Sequence, residues 1–419
     1  MSAALSRRAA LGGSGGNRLR SADLELPHHI LYATSARIGG SGLDAVAAQS
    51  LIAAHRDGLL RRALAFENRQ SDVPAELIRC LNWHPVRFLS ALKSEFYYGA
   101  KKHALDRAAA RELATGGYDF FHGWSGESVR TLREARRLGI PSMIEIPTWH
   151  RNKGKVKPAR FTKSERERDA ARGWSGVKNR LLVTRQQMLE EYDLADLILV
   201  LSQKAEETFL AAGIAPEKLF RHQRGVDVER FTPAEKPPEV FRAVLVGALI
   251  KRKGVHHLLE AWRKLALRDS ELVLVGTLHA EIATVLHELA LPNVRLAGFI
   301  SDVQECYRSA TVHVFPSSCE GSAKCTYEAA ACGLPQITTR ESGDVVIDGV
   351  NGLIVPAEDP EALAAAIERL YRDRDLCAQL GEAGRRRVVE NFTWGHFHAR
   401  LIEAYAAAMS RGGRAAERA

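Results

Sequence analysis

The sequence predicts an α/β protein of two doubly wound domains facing each other across a cleft, and three observations carry that expectation. At 419 residues the chain exceeds the size at which one hydrophobic core keeps growing, so two domains are the default. Its apolar residues gather in short continuous runs, the pattern of parallel strands covered by helices on both faces. These runs alternate with helical segments in two successive series, with a strongly basic stretch between them.

The opening "MSAALSRRAALGGSGGNRLR" pairs two arginines, but Gly, Asn and Arg stand where a signal peptide needs an apolar region. Residues 1–26 therefore read as a disordered tail, with cytoplasmic location following by default. "HHILYATSA" is a β-rich run, "RIGGSG" a glycine turn, and "LDAVAAQSLIAAHRDG" a helix closed by glycine. Strand, glycine loop and helix in that order begin a Rossmann-like unit. "YDFFHG", "SVRTLREARRLG" and "IPSMIEIP" continue as strand, helix and strand.

From 151 to 190 the alternation breaks. "RNKGKVKPARFTKSERERDAARGWSGVKNR" carries far more Lys and Arg than Asp and Glu, and reads either as a solvated, partly helical face or as a surface for an anionic acceptor or membrane headgroups. The second reading adds a peripheral position at the inner membrane face to the cytoplasmic expectation. A second series follows, with strands in "ADLILVLS", "FRAVLVG", "ELVLVGT", "NVRLAGF", "TVHVFPSS" and "LPQITT" and helices such as "QKAEETFLAAG" and "VHHLLEAWRKLAL" between them. The expected domains are 27–193 on the acceptor side and 194–388 on the donor side. Residues 389–419 form a terminal helix and tail that could pack on either domain.

Composition is that of an ordinary globular protein, 46% hydrophobic and 26% charged. The net charge of +9 favours an anionic partner without naming it. No run approaches the roughly 18 apolar residues of a membrane span. The six cysteines are sparse, and Cys319, Cys325 and Cys332 lack both paired spacing and a neighbouring histidine. They read as reduced thiols, with no metal site. Nucleic acid is disfavoured as a partner, because the densest basic stretch lacks interleaved aromatics that stack on bases.

The chemistry should sit at the carboxyl ends of the second series. "ALIKRKG" holds Lys251, Arg252, Lys253 and Gly254 just before a helix. "VHVFPSS" leads through Glu320 to a helix beginning near Ser322 or Ala323. A helix N-terminus offers unpaired N–H groups and a positive dipole end, and Arg252 or Lys253 would add charge-assisted bonds to the same phosphate. The cleft looks built for a diphosphate. Glu320 and Glu328 stand eight residues apart, and eight residues of helix span about 12 Å. That separation suits a sugar held by Glu320 at one end and a ribose held by Glu328 at the other.

"VLVGALIKRKGVHHLLEAW", "VFPSSCEGSAKCTYEAAACGLPQITT", "ESGDVVIDGVNGLIVP" and "GVDVERFTP" together resemble the family four retaining glycosyltransferases of the GT-B fold, the glycosyl transferases group 1. The resemblance covers nearly all of the chain beyond the tail. It implies two Rossmann-like domains, a nucleotide-diphosphate sugar (UDP- or GDP-linked) bound by the second, and a hydroxyl acceptor bound by the first. The donor is a substrate; neither a cofactor nor a metal is implied. Carried over, Glu328 matches the ribose-binding glutamate, Glu320 the glutamate near the donor hexose, and Lys253 the basic residue on the diphosphate. Gly39 and Gly40 match the first-domain loop that approaches the donor, and His122 matches a histidine facing the reacting sugar. Gly247 and the helix start, Ser322, Ala323, Lys324, Cys325 and Thr326, complete the donor set; His150 at a strand end is the acceptor-side candidate.

One departure stands out. Where relatives often carry Arg after the glycine of "VLVG", this chain has Ala248, and Arg252 could supply the charge instead. Lys324 either contacts phosphate or pairs with Glu328 at i+4. Bond breaking between sugar and diphosphate builds negative charge on the leaving phosphate, which Lys253 and the helix end would stabilise where it develops. Two other readings compete: a nucleotide-sugar epimerase or hydrolase on the same fold, for which Glu145 is the first-domain candidate, and a non-catalytic basic binding protein. The oligomeric state is open.

Overall fold

A computed structural model of the chain describes residues 25–40, 42–81, 94–150, 182–236 and 238–416. Among these residues two sheets form, every strand parallel to its neighbours. The first joins β1 (Ile30–Ala33), β2 (Leu60–Ala65), β3 (Ile78–Cys80), β4 (Phe120–Trp124), β5 (Ser142–Glu145), β6 (Leu197–Val200) and β7 (Leu219–Arg221), in the order β3-β2-β1-β4-β5-β6-β7. Its helices are α1 (Leu43–Arg56), α2 (Ser94–Ala114), α3 (Val129–Leu138), α4 (Arg185–Leu194) and α5 (Gln203–Leu210). The second joins β8 (Phe241–Val246), β9 (Ser270–Val275), β10 (Val294–Gly298), β11 (Val312–Phe315), β12 (Gln336–Thr338) and β13 (Leu353–Ile354), in the order β10-β9-β8-β11-β12-β13. With it go α6 (Val255–Leu265), α7 (Ala280–Leu289), α8 (Gln304–Arg308), α9 (Lys324–Ala331), α10 (Pro360–Arg372) and α11 (Arg374–Asn391), and the described chain closes with α12 (Trp394–Ala416).

Local chemistry explains these elements. The central strands are apolar on both faces because helices cover both, and every residue of β4 is buried. Helix α3 buries Val129, Thr131, Leu132 and Ala135 on one side and stops at Gly139, whose left-handed φ of 68° suits glycine. Helix α4 opens with a capping box between Thr184 and Gln187. Helix α10 opens with Asp359 accepting from the Ala362 N–H and with Pro360 in its first turn.

Two expectations about domain limits change. Strands β6 and β7 belong to the first sheet, so residues 194–222 complete the first domain and the break falls between Arg221 and Phe241, not at 193. Residues 389–419 are not a separate unit either. Helix α11 carries through to Asn391, and α12 packs Phe397, Leu401, Ala404, Tyr405 and Ala408 into the first domain's core beside Tyr32, Phe120 and Trp124. The chain therefore crosses between domains twice, and the crossings run side by side: the Val226 N–H donates to the Phe392 carbonyl at 2.8 Å and Val226 pairs with Thr393.

In each sheet the strand order reverses once, between β1 and β4 and between β8 and β11. The crevices outside those carboxyl ends are where an open parallel sheet binds ligands.

Candidate active site

At the second domain's reversal, two loops are pressed together. After β8 the chain runs through Gly247 and Ala248 into a tight turn at Lys251–Lys253 and then Gly254; after β11 it runs from Pro316 to Ser322. Gly254 has φ 72°, and a Cβ there would lie 2.1 Å from the Pro316 carbonyl oxygen, so only glycine permits the contact. The Arg252 carbonyl accepts from the Ser318 N–H at 2.9 Å and from Ser317 Oγ at 3.0 Å, stapling one loop to the other.

That contact assembles a charge cluster. Glu320 Oε1 accepts from Lys253 Nζ at 2.5 Å, Arg252 Nη1 at 2.7 Å and Ser317 Oγ at 3.1 Å. Lys253 Nζ also lies 4.9 Å from the centre of the Phe315 ring. Sequence reading placed Lys253, Arg252 and Glu320 in one site, and the fold brings them together.

Helix α9 starts beside this cluster. Ala323 is its N-cap, with no side-chain cap, and its N–H donates to the Ser342 carbonyl at 2.8 Å. The first N–H groups of the helix proper have no partner within it. Ser322 Oγ meets Tyr327 Oη at 2.7 Å, Thr326 Oγ donates to the Ala323 carbonyl at 2.7 Å, and Cys325 is buried with its thiol pushed up by burial. These three side chains face inward, leaving the backbone as what this stretch can offer a ligand. Glu328, in the second turn, is 3% exposed; its Oε2 accepts from Tyr307 Oη at 3.1 Å, and Lys324 Nζ lies 2.6 Å from its Oε1. Lys324 thus makes the i+4 pairing with Glu328.

At the first domain's reversal, Gly39 and Gly40 have φ of 96° and 139°, and a Cβ on Gly39 would meet the Gln70 nitrogen at 3.0 Å. Sequence reading missed a neighbouring group. Glu127, which follows β4, bridges to β1 by accepting from the Ser35 N–H at 2.7 Å and from the Ser35 hydroxyl. Lys101 Nζ donates to the Ser35 carbonyl at 3.0 Å, and Lys102 Nζ lies 3.6 Å from Glu127. No motif flags this group, since its members come from three separate segments.

Two expected residues lie elsewhere. His122 sits mid-strand on β4, and strand alternation turns it with Phe120 and Trp124 toward α1 and α12, not past the strand end. It is fully buried, its Nδ1 3.0 Å from Tyr405 Oη and its Nε2 3.1 Å from Glu145 Oε1, so it does not face the cleft. His150 is 3% exposed, its ring against Tyr192 and Phe209 and its N–H bonded to Thr208 Oγ1 at 3.0 Å, a core position and not an acceptor contact. Glu145 is likewise buried and accepts from Ser50 Oγ at 2.9 Å, which withdraws the candidate acid–base group of the epimerase or hydrolase reading. Most of the basic stretch, 151–181, and residues 1–24 of the tail lie outside the described residues. No helix among the described residues is long and apolar enough to cross a membrane.

Taken together, two cations cluster on Glu320 next to a helix start without a side-chain cap, and a second carboxylate, Glu328, stands in that helix's second turn. Such an array can hold a phosphate-bearing ligand and stabilise negative charge that grows on it.

Comparison with known proteins gives the same direction. The family profile described as "Glycosyl transferases group 1" matches residues 241–373. The chain is 30% identical over 319 residues to the MMP alpha-(1->4)-mannosyltransferase of Mycolicibacterium hassiacum, covering 72% of this chain and 74% of that one. It is 30% identical over 348 residues to the D-inositol 3-phosphate glycosyltransferase of Geodermatophilus obscurus, covering 75% and 73%. With the capsular polysaccharide biosynthesis glycosyltransferase CapM of Staphylococcus aureus it shares 29% over 218 residues, 57% of that protein's length. Among solved structures, sucrose-phosphate synthase of Thermosynechococcus elongatus aligns with a TM-score of 0.67 at 21% identity, over 91% of this chain and 99% of that one. HepE of Anabaena, in complex with UDP and glucose, aligns at 0.65 and 16%, over 90% and 98%.

Proposed function

Because the chain belongs to the glycosyl transferases group 1, GT-B enzymes that transfer sugars from nucleotide sugars, we propose that it moves a hexose from a UDP- or GDP-linked donor to a hydroxyl of a glycan, lipid or small molecule, with retention at the anomeric carbon. The observation that carries this reading is the cluster of Lys253, Arg252 and Glu320 at the start of α9, with Glu328 one turn further on. In it the diphosphate lies over the helix start, Glu328 takes the ribose hydroxyls and Glu320 those of the hexose.

The catalytic demand is on the leaving group. As the bond from the anomeric carbon to the phosphate oxygen breaks, its electron pair stays on the nucleoside diphosphate. Lys253, Arg252 and the α9 N–H groups meet that charge where it forms. The acceptor oxygen bonds to the same face of the anomeric carbon, and its proton passes to the departing phosphate oxygen. The acceptor belongs over the first domain's reversal, where Lys101 and Lys102 favour an anionic partner, as does the net charge of +9. Relatives whose names specify inositol 3-phosphate support such an acceptor.

The test is melting of wild type and Glu328→Ala with UDP, GDP, ADP, dTDP or CMP. A ligand at about 100 times its Kd adds about 2.7 kcal/mol. One diphosphate should stabilise the wild type and leave the variant unmoved; equal shifts in both proteins would remove Glu328 from the site.

A further inference from the structure

Arg224 stands on the first crossover, and it is 7% exposed. Its Nε donates to the Ser322 carbonyl at 2.9 Å, and that is its only hydrogen bond among the described residues. No carboxylate among them comes within ion-pair distance. Tyr327, Glu145 and Glu320 act on it only from further away, and burial pulls the guanidinium's pKa down. A guanidinium carries five N–H donors, so four are without a partner among the described residues. Withdrawing such a charge from water costs several kcal/mol unless something compensates it.

Other arginines at the same junction are handled differently. Arg385 spends its two Nη groups on the carbonyls of Phe231, Ala331 and Val228, and Arg387 uses Nε and Nη2 on Val345 and Asp344. Arg400 bonds the carbonyls of Asn391 and Gln223. Those side chains tie backbone to backbone. Arg224 is the more deeply buried, yet it is tied by one bond.

What it is tied to matters. Ser322 immediately precedes the N-cap of α9, and Glu320, two residues earlier, is the acceptor for Lys253 and Arg252. Gly321 between them abuts the first domain, since a Cβ there would lie 2.4 Å from the Pro147 carbonyl oxygen. The guanidinium is thus held against the loop that carries the charge cluster into the helix start. Ala248, directly after Gly247 in the loop that follows β8, is exposed and brings no charge.

We propose that Arg224 is an anion-binding residue of the active site, whose free Nη groups take a phosphate oxygen of the nucleoside diphosphate and supply from the crossover the charge that Ala248 lacks. This rests on the donor reading above. An arginine kept for a ligand burdens the empty protein, whereas a structural arginine supports it.

The two roles separate in Arg224→Gln and Arg224→Lys, made in the full chain and titrated with UDP, GDP and uridine. For a ligand-binding role, Arg224→Gln loses at least about tenfold in diphosphate affinity and Arg224→Lys loses less. Uridine binding stays as in wild type, and the ligand-free melting temperature does not fall. If the diphosphate binds Arg224→Gln as tightly as wild type, or if the melting temperature falls while affinity holds, the proposal is overturned. Should Arg224→Gln fail to fold, Arg224→Lys carries the same comparison. A wild type that binds no diphosphate would sink the donor reading itself, a result distinct from a binding wild type with an indifferent variant.

Discussion

Lys324 Nζ lies 2.6 Å from Glu328 Oε1 across one turn of α9, while the other carboxylate oxygen takes the Tyr307 hydroxyl. Glu328 is 3% exposed, so its charge depends on those two partners. Replacing Lys324 by Ala should cost about 1–3 kcal/mol of unfolding free energy. Urea titration reads this, and Lys324→Ala/Glu328→Gln should recover part of the loss; a single variant as stable as wild type would mean the pair contributes nothing.

Lys253 and Arg252 share one oxygen of Glu320 but differ in exposure, 15% against 47% for their side chains. The drier cation should matter more to the leaving group. Lys253→Ala should lower kcat by about a hundredfold to a thousandfold, and Arg252→Ala by clearly less. Release of nucleoside diphosphate from the donor measures both, and the reverse ranking would refute the assignment.

Two buried histidines and one buried carboxyl give stability opposed pH dependences, for separate reasons. Burial lowers the pKa of His222 and of His313 from 6.5 to about 4, so both fold neutral. Their contribution is complete above 6.5 and is lost as pH falls toward 4, by about 3 kcal/mol each. Glu191 runs the other way: burial pushes it up to about 8, against the pull of the Gly126 and Ser128 N–H groups. Its contribution is complete below 4.5 and is lost as pH rises through 8. Melting temperatures from pH 4 to 9 should show His313→Gln losing less between pH 6.5 and 4, and Glu191→Gln losing less as pH rises from 4.5 to 8. Unchanged slopes would rule these groups out.

Gly254 is where the two loops at the second domain's reversal meet. Gly254→Ala sets a methyl group into the Pro316 carbonyl and strains a positive φ, at a cost of about 1–3 kcal/mol from strain alone. Diphosphate affinity should fall with it, because the loop bearing Lys253 must lift. Gly349→Ala, also at positive φ (69°) but with nothing within 4 Å, is the control that should lose stability without losing affinity.

Most of the architecture could be read from apolar runs and glycine punctuation, because parallel strands covered on both faces have no other pattern. The helix start at Ala323 and the grouping of Lys253, Arg252 and Glu320 could be read as well, each being local to a strand end. Sheet membership could not. "ADLILVLS" has the same periodicity in either sheet, and only long-range pairing with β5 assigns it to the first. His122 shows the same limit at the level of one side chain: its place after an apolar run was visible, but alternation along β4 points it into the helix layer. Arg224 carried no signal, because a single arginine in a connecting segment looks like any solvated one until its burial is known.

The bond between His122 and Tyr405 joins residues 283 positions apart. During synthesis the second sheet is complete once Ile354 has left the ribosome, whereas the first domain still lacks the helix that fills one side of its core. The order of completion is therefore inverted relative to the order of translation. A nascent chain halted before Trp394 would carry a finished second domain and a first domain with Tyr32, Phe120 and Trp124 open to water, a surface for chaperones to cover until the last helix arrives.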